Sequence, residues 1–287
     1  DGRAEPNRRA TRIELYDGLI ARSQNRFPSL RFDLGALTDL LAPLFPAGFY
    51  YKTFMWPRWA WKRLYEPLIR RMAGLGRAPD SPDPDRYEHR FAHCDLLVVG
   101  AGAAGLQAAL MAVRAGLRVI VAEDDREPGG WLLAEGAARV QIDGERPDHW
   151  IAQVAAELAA SPNCRLLCRT SVFGCYDHNL VGLLERVADH LPKPDSDQPR
   201  QRLWKVRAKR VIIATGTIER PIAFPGNDRP GVMLVGAGAT YLHRYAILAG
   251  QEIVLFGNHD GLYALARDLQ AVGARVIAVG RIKTSWQ

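Results

Sequence analysis

The sequence is poor in cysteine. It holds four, Cys94, Cys164, Cys168 and Cys175, and no two stand as a Cys-x-x-Cys pair. That density is far below a disulfide scaffold, so the expectation is reduced, mostly buried thiols in a cytoplasmic protein. Cys164 and Cys168 have no histidine at metal-ligand spacing, so no residue is named as a metal ligand. Dense Lys/Arg blocks are also missing. The net charge is +7, and residues 1–90 hold 16 Lys+Arg against 11 Asp+Glu, but these arginines are scattered among aromatic and acidic residues. No nucleic-acid partner is expected; a basic face that meets a partner chain or an anionic cofactor fits better. No signal peptide, short repeat or low-complexity tract is seen. The chain opens without Met, in the polar stretch "DGRAEPNRRATR", and is expected to be a fragment or a processed product.

Long apolar runs are scarce. In residues 96–113 the sole polar residue is Gln107, and the length suits a membrane helix. Gly100, Gly102 and Gly105 interrupt this run, and the β-branched Val98 and Val99 precede them. A strand, a tight turn and a helix fit better, so no membrane partner is expected. With 48% apolar and 24% charged residues, 287 residues suffice for one large domain or two ordinary ones with ample core.

Residues 1–44 read as irregular structure and short helices, with "SLRFDLGALTDLLAPL" the clearest helical piece. Nine of the 21 residues from 45 to 65 are aromatic. Pro46 and Pro57 deny this segment one continuous helix, and its aromatic density predicts packing against another domain or chain. "RAPDSPDPDRYEHR", residues 77–90, reads as a linker, with the main domain starting near Phe91. Beyond it "CDLLVVG" is a buried strand, "AAGLQAALMAVRAG" a helix ended by Gly116, and "LRVIVAE" a second strand. That is a βαβ unit and implies a parallel sheet. "DHWIAQVAAELAAS" is a further helix, "CRLLCRTSVFGCYD" a strand, "DHLPKPDSDQPRQ" a polar loop and "RLWKVRAKRVIIATG" a strand pair. "QEIVLFG", "HDGLYALARDLQAVG" and "ARVIAVGR" make a second βαβ unit.

The loop Gly100-Ala-Gly102-Ala-Ala-Gly105 follows a strand directly and opens a helix, the context a dinucleotide fingerprint needs. Gly100 permits the tight turn, Gly102 lets a pyrophosphate approach the backbone, and Gly105 lets the helix pack close to the strand. The helix N-terminus offers free N–H groups to phosphates. Glu123 ends the second strand 18 residues past Gly105, where a carboxylate can accept both hydroxyls of an adenosine ribose. Gly129-Gly130 lies one short loop further on and could pass close to the dinucleotide. Val172 could offer backbone contacts to an adenine, and the turn in "VIIATGT" is well placed to pass near the cofactor. No Ser/His/Asp constellation or carboxylate pair is found, so no catalytic residue is named. His149, His178 and His190 are expected at the surface or at helix ends, and His243 and His259 in structural roles.

The elements "GAGAAG…E", "GG" and "ATG" resemble the two-dinucleotide-binding-domain flavoproteins. Adding "RSQNRFPSLRFDLGALTDLLAPLFPAGFYYKTFMWP", "YEPLIRRMAGLG", "PDPDRYEHRFAHCDLLVVGAGAAGL" and "ERPIAFPGNDRPGVML" narrows this. Over essentially all 287 residues the chain resembles the α subunits of bacterial heterotetrameric sarcosine oxidases. The resemblance implies an α/β fold: an FAD/NAD(P)-binding, Rossmann-like two-dinucleotide-binding-domain fold, incomplete, with an irregular aromatic-rich N-terminal segment. It implies a central fragment of a longer polypeptide, lacking most of a ferredoxin-like start and a folate-binding C-terminal domain. Its parts would be residues 1–90, N-terminal segment and linker; 91–230, first dinucleotide-binding domain; and 231–287, the start of a second.

The same resemblance implies NAD as cofactor, with FAD the alternative. Sarcosine would be oxidised at an FAD held by the β subunit. Electrons would pass to an FMN near the α/β interface and then to oxygen, giving hydrogen peroxide, while formaldehyde equivalents from the methyl group would be captured by tetrahydrofolate. Partners would be that β subunit, together with further small subunits. Dinucleotide contacts fall on Gly100, Gly102, Gly105, Glu123, Gly130, Val172 and Gly216, and the neighbouring Ala103, Ala104, Asp124, Ala214 and Thr215 complete the candidate set. The α subunit of a related proline, opine or glycine (cyanide-forming) dehydrogenase, or a stand-alone NAD(P)H-dependent flavoprotein reductase, are the alternatives.

A second stretch, "VGAGATYL" at 235–242, nearly repeats "VGAGAAGL" at 99–106. It puts Tyr241 at the third glycine position, and the next strand ends in Phe256-Gly257 with no acid. The resemblance places it in a helix-forming connection. A third loop, Gly257-Asn-His-Asp-Gly261, leads to a strand ending in Gly280-Arg281. Arg281 could meet a 2′-phosphate, but a lost site is the plainer reading.

Overall fold

The computed structural model describes residues 5–7, 13–23, 26–29, 31–44, 48, 54–76, 80, 82–135, 140–193, 195 and 197–282. Four of the nine clustered aromatics, Phe45, Phe49, Tyr50 and Tyr51, lie outside the described residues, as do residues 77–79 and 81 of the expected linker. The chain divides into two compact units: Asp1–Arg86 with Val187–Arg200, and Tyr87–Arg186 with Gln201–Gln287.

In the first unit, Asp33 opens a 3-10 helix, Leu34–Leu44, by accepting backbone hydrogen bonds from Phe27 and Gly35, both at 2.9 Å. These bonds hold its carboxyl below the usual range. Pro57 ends the irregular stretch, since its fixed φ suits the start of a helix. A short turn, Arg58–Ala60, and a π-helical turn, Trp61–Tyr65, then lead into α1 (Glu66–Met72). The Tyr65 hydroxyl donates to the Trp56 carbonyl at 3.1 Å, and its ring lies 5.1 Å from that of Phe54. Trp56 and Trp59 are nonetheless exposed, at 81% and 66%. Arg200 gathers this unit's distant segments by pairing with Asp85, Asp189 and Glu5.

The second unit is built on a six-stranded sheet. Its strands are β1 (Tyr87–Val99), β2 (Val119–Ala122), β3 (Cys164–Leu167), β4 (Thr170–Tyr176), β5 (Leu180–Arg186) and β6 (Gln201–Ile213), in the order β3-β2-β1-β6-β5-β4. β3, β2, β1 and β6 run parallel, while β4, β5 and β6 form an antiparallel meander. β1 reads "LLVV" without alternation because it is central and covered on both faces. Helices α2 (Ala103–Arg114) and α3 (Pro147–Ala160) pack on one face over Leu96, Val98 and Val121. On the other face Leu97 and Ile120 meet Val181, Leu183, Trp204 and Val206 of the meander. A third core joins α4 (Val235–Tyr245), β7 (Glu252–Gly257), α5 (Gly261–Ala271) and β8 (Arg275–Arg281) around Leu255, Leu262 and Leu269, with β7 and β8 parallel.

Both βαβ units, helix α3 and the helical start of the N-terminal segment stand where the sequence places them. Four details differ. β1 begins at Tyr87, so residues 87–90 belong to the sheet and not to a linker; they pair with Gln201–Trp204. "CRLLCRTSVFGCYD" is two strands, because Arg169 turns at a φ of +53° and donates its N–H to the Asp125 carbonyl. "RLWKVRAKRVII" is one strand rather than a pair, and it buries Trp204, Val206 and Ala208 in alternation. β5 is the fourth, a strand with no counterpart in the sequence reading. Among the described residues no helix is long and apolar enough to cross a membrane; the run from 96 to 113 is the end of β1, a glycine turn and α2.

Candidate functional site

The site grows from the turn between β1 and α2. Gly100 sits at a φ of +98°, and a Cβ there would strike the Ala214 carbonyl oxygen. A Cβ at Gly105 would collide with the Gly100 carbonyl oxygen, so α2 can leave the strand this tightly only with glycine at both positions. Gly102 is the N-cap of α2, and a Cβ there would meet nothing within 4 Å. The space above Gly102 is open, at the end of a helix whose first N–H groups have no partner within the helix.

Glu123 closes one side. Its Oε2 accepts from the Ala101 N–H at 2.6 Å and its Oε1 from the Asp125 N–H at 2.9 Å, so one carboxylate ties the glycine turn to the loop after β2. That loop runs beside the turn: the Gly129 N–H donates to the Ala101 carbonyl at 2.8 Å, and Gly102 and Gly129 form a parallel bridge. Gly130, at a φ of +55°, would bring a Cβ within 3.1 Å of the Gly102 Cα. Opposite, the Ala214 N–H donates to the Val99 carbonyl at 2.8 Å, and Gly216 turns at a φ of +67°. Gly100, Gly102, Ala103, Ala104, Gly105, Glu123, Gly130, Ala214, Thr215 and Gly216 therefore gather around one turn. Asp124 faces β4 and β5 instead, held by Ser171 and Arg186. Val172 is half-buried in β4 against the meander core.

A cavity of about 360 Å³ opens here, lined by Glu123, Asp125, Gly130, Trp131, Thr240 and Arg244. Arg244, 12% exposed at its side chain, reaches from α4 to Asp125 at 2.6 Å and Glu127 at 2.6 Å. Partial burial is the largest single influence on Asp125 and works against its ionisation, but the hydrogen bond and charge of Arg244, together with the N–H and charge of Arg126, outweigh it and hold the carboxyl below its ordinary value. Sequence reasoning missed Arg244, Asp125 and Trp131. The partners of Arg244 lie 119 and 117 residues earlier, and no local pattern signals them.

The lookalike stretch is different. "VGAGATYL" lies wholly inside α4, and the second N–H of that helix, on Gly236, is satisfied by Glu219 Oε2 at 2.7 Å. In the third loop Arg281 pairs with Asp260, next to the start of α5, at 2.8 Å. His243 bonds Asp268 at 2.9 Å, tying α4 to α5, and His259 lies 3.3 Å from Glu219. Burial pushes the Cys94 and Cys168 thiols up to about 11, so both are poor nucleophiles near neutral pH. Among the described residues no group of three or more His, Cys, Asp or Glu could hold a metal ion.

A parallel sheet entering a glycine turn, a helix N-terminus open above Gly102 and an acid at the end of the next strand define a dinucleotide-binding α/β protein. The pyridine nucleotide-disulphide oxidoreductase family matches residues 94–279, and the chain belongs to that family, an oxidoreductase family whose fold binds FAD or NAD(P). It is 53% identical over 278 residues to the alpha subunit of sarcosine oxidase from Rhizobium meliloti (strain 1021), covering 97% of this chain and 28% of that protein. To an opine oxidase subunit of Agrobacterium tumefaciens (strain Ach5) it is 32% identical, over 64% of this chain and 36% of that one. In structure it resembles L-proline dehydrogenase from P. horikoshii, with a TM-score of 0.54 at 22% identity, covering 68% of this chain and 36% of that one. The chain thus spans little more than a quarter of the length of the first of these relatives.

Proposed function

We propose that this chain is the dinucleotide-holding part of a sarcosine oxidase α-type subunit, and that the dinucleotide is NAD. The observation that carries the reading is the open space above Gly102, between the start of α2, the Glu123 carboxylate and Gly130. The pyrophosphate would lie against Gly102, Ala103 and Ala104 at the helix N-terminus, with Gly100 and Gly105 shaping the turn. Glu123 would exchange its backbone hydrogen bonds for the ribose hydroxyls. Gly130, Ala214, Thr215 and Gly216 would flank the cofactor, with Val172 and Asp124 towards the adenine. NAD supplies hydride-transfer chemistry where a substrate meets it.

In this reading the chain's own residues bind and orient, and none acts as acid, base or nucleophile. Amine oxidation, with its FAD and FMN, resides on or at a β subunit, and the segment ahead of β1 packs against partner chains through exposed aromatics such as Trp56. The first nucleotide-binding domain, expected over 91–230, starts with β1 at Tyr87, and 231–287 begin a second. The test is to purify the full-length protein with its neighbouring subunits and identify the released cofactor by mass and absorbance. NAD from this polypeptide supports the reading; FAD held by this polypeptide overturns it.

A second reading is favoured by the likeness to an opine oxidase subunit: the chain would then belong to an α-type component of a related amine dehydrogenase. Peroxide formation from N-methylglycine, compared with proline and an opine, decides between them.

A further inference from the structure

Four carboxylates, Glu123, Asp124, Asp125 and Glu127, crowd into one short stretch after β2, beside the glycine turn where a dianionic pyrophosphate is proposed to bind. The structure meets them with cations. Arg186 pairs with Asp124 at 3.3 Å, Arg126 lies 3.6 Å from Glu127, and Arg244 bridges two of them, Asp125 and Glu127. Arg244 comes from α4, far along the chain, and its guanidinium is shielded: 12% exposed, it lies 5.5 Å from the Tyr245 ring, which also carries Arg126 at 5.8 Å. Its two Asp125 contacts, from Nη1 at 2.6 Å and Nη2 at 3.2 Å, form a fork that a lysine cannot reproduce. It lines the cavity that Glu123 and Gly130 also line. The loop it grips is bonded to the glycine turn through Glu123, which accepts from both the Asp125 and the Ala101 N–H, and through the Gly129 N–H to the Ala101 carbonyl.

We infer that Arg244 is a positioning residue for dinucleotide binding: it neutralises Asp125 and Glu127 and holds their loop so that an anionic pyrophosphate can settle on the glycine turn. This rests on the dinucleotide reading above and goes beyond it by assigning the charge balance of the site to a residue on a helix outside the first βαβ unit. Without Arg244, Asp125, which lines the cavity, and its neighbour Glu127 lose their bridging cation, and the repulsion left between them and an anionic ligand is one that salt screens.

The test places Arg244→Ala and Arg244→Lys in the full-length protein with its partner subunits. Apo protein is titrated with NAD and with ADP-ribose at low and at high salt. R244A should weaken both about tenfold at low salt, the equivalent of about 1.4 kcal/mol, and the defect should shrink at high salt. R244K should recover part of the affinity. Adding Asp125→Asn and Glu127→Gln to R244A should restore binding, because the repulsion is gone. An R244A protein that binds as tightly as wild type overturns the inference. So does a loss equal at all salts that the double neutralisation does not rescue, which would make Arg244 a structural tether only. If R244A does not fold, Arg244→Gln is read instead: it should weaken both ligands at low salt with the defect shrinking at high salt, and wild-type affinity at both salts overturns the inference. Wild-type protein that takes up neither ligand defeats the dinucleotide reading itself, an outcome distinct from either.

Discussion

The letters V-G-A-G-A occur twice in this chain and fold in two ways. At 99–103 they end a strand, turn and begin a helix; at 235–239 they lie inside α4 throughout. The first copy follows the buried run "DLLVV", which the sheet claims as its central strand. The second follows a proline-punctuated stretch with no strand to claim it. At the first helix start the space above Gly102 is open. At the second the Gly236 N–H is already taken by the Glu219 carboxylate, an internal anion where a ligand's would otherwise go. A glycine motif therefore states what the backbone can do, and its surroundings decide whether a ligand is welcome.

The comparison can be broken first at Gly105, the position the second copy fills with Tyr241. Gly105→Ala drives a methyl into the Gly100 carbonyl, so it should cost about 3 kcal/mol or more and the bound dinucleotide with it. Thermal unfolding and cofactor content read both, and a variant with wild-type Tm would contradict the packing described. Gly102→Ala should separate folding from binding. Its Cβ meets no protein atom, so Tm should move by less than the equivalent of about 1 kcal/mol, while NAD affinity falls about a hundredfold; calorimetric titration measures the second quantity. Glu123→Gln removes a charge and one acceptor from the ribose side and should weaken NAD binding about tenfold, seen in the same titration. In the lookalike, Glu219→Ala leaves the Gly236 N–H bare and should lower stability by about 1 kcal/mol; an unchanged denaturant midpoint would show that this carboxylate is no cap. The smallest effect is expected at Gly238, the counterpart of Gly102. There a Cβ would stand at an ordinary 3.4 Å from Leu265, so Gly238→Ala should raise stability by about 0.5–1 kcal/mol through helix propensity, read as a higher denaturant midpoint.

The first βαβ unit was legible because its signals are contiguous: an apolar run, three glycines in step, an amphipathic helix closed by Gly116, and an acid at the end of the next strand. The lookalike was legible as such from Tyr241 and the missing acid. The break between β3 and β4 was not, because an arginine at positive φ carries no sequence mark and is held there by the Asp125 carbonyl. β5 was missed because "NLVGLLER" lacks clean alternation; its pairing with both β4 and β6 makes it a strand. β6 reads as two pieces because its two halves face different neighbours: Gln201–Arg207 lies between β1 and β5, while residues 210–213 keep β1 alone.

By itself the sequence determined the glycine turn and the helix and strand beside it, since these rest on residue type and short spacing. Tertiary structure alone decided which glycine loop is open, through Glu219 at one helix start and empty space at the other. It also decided what balances the acidic loop, through Arg244 brought back across 119 residues. Both turn on a single charged side chain arriving from a distant segment, and charge pairing at that range depends on the packed fold rather than on any local pattern.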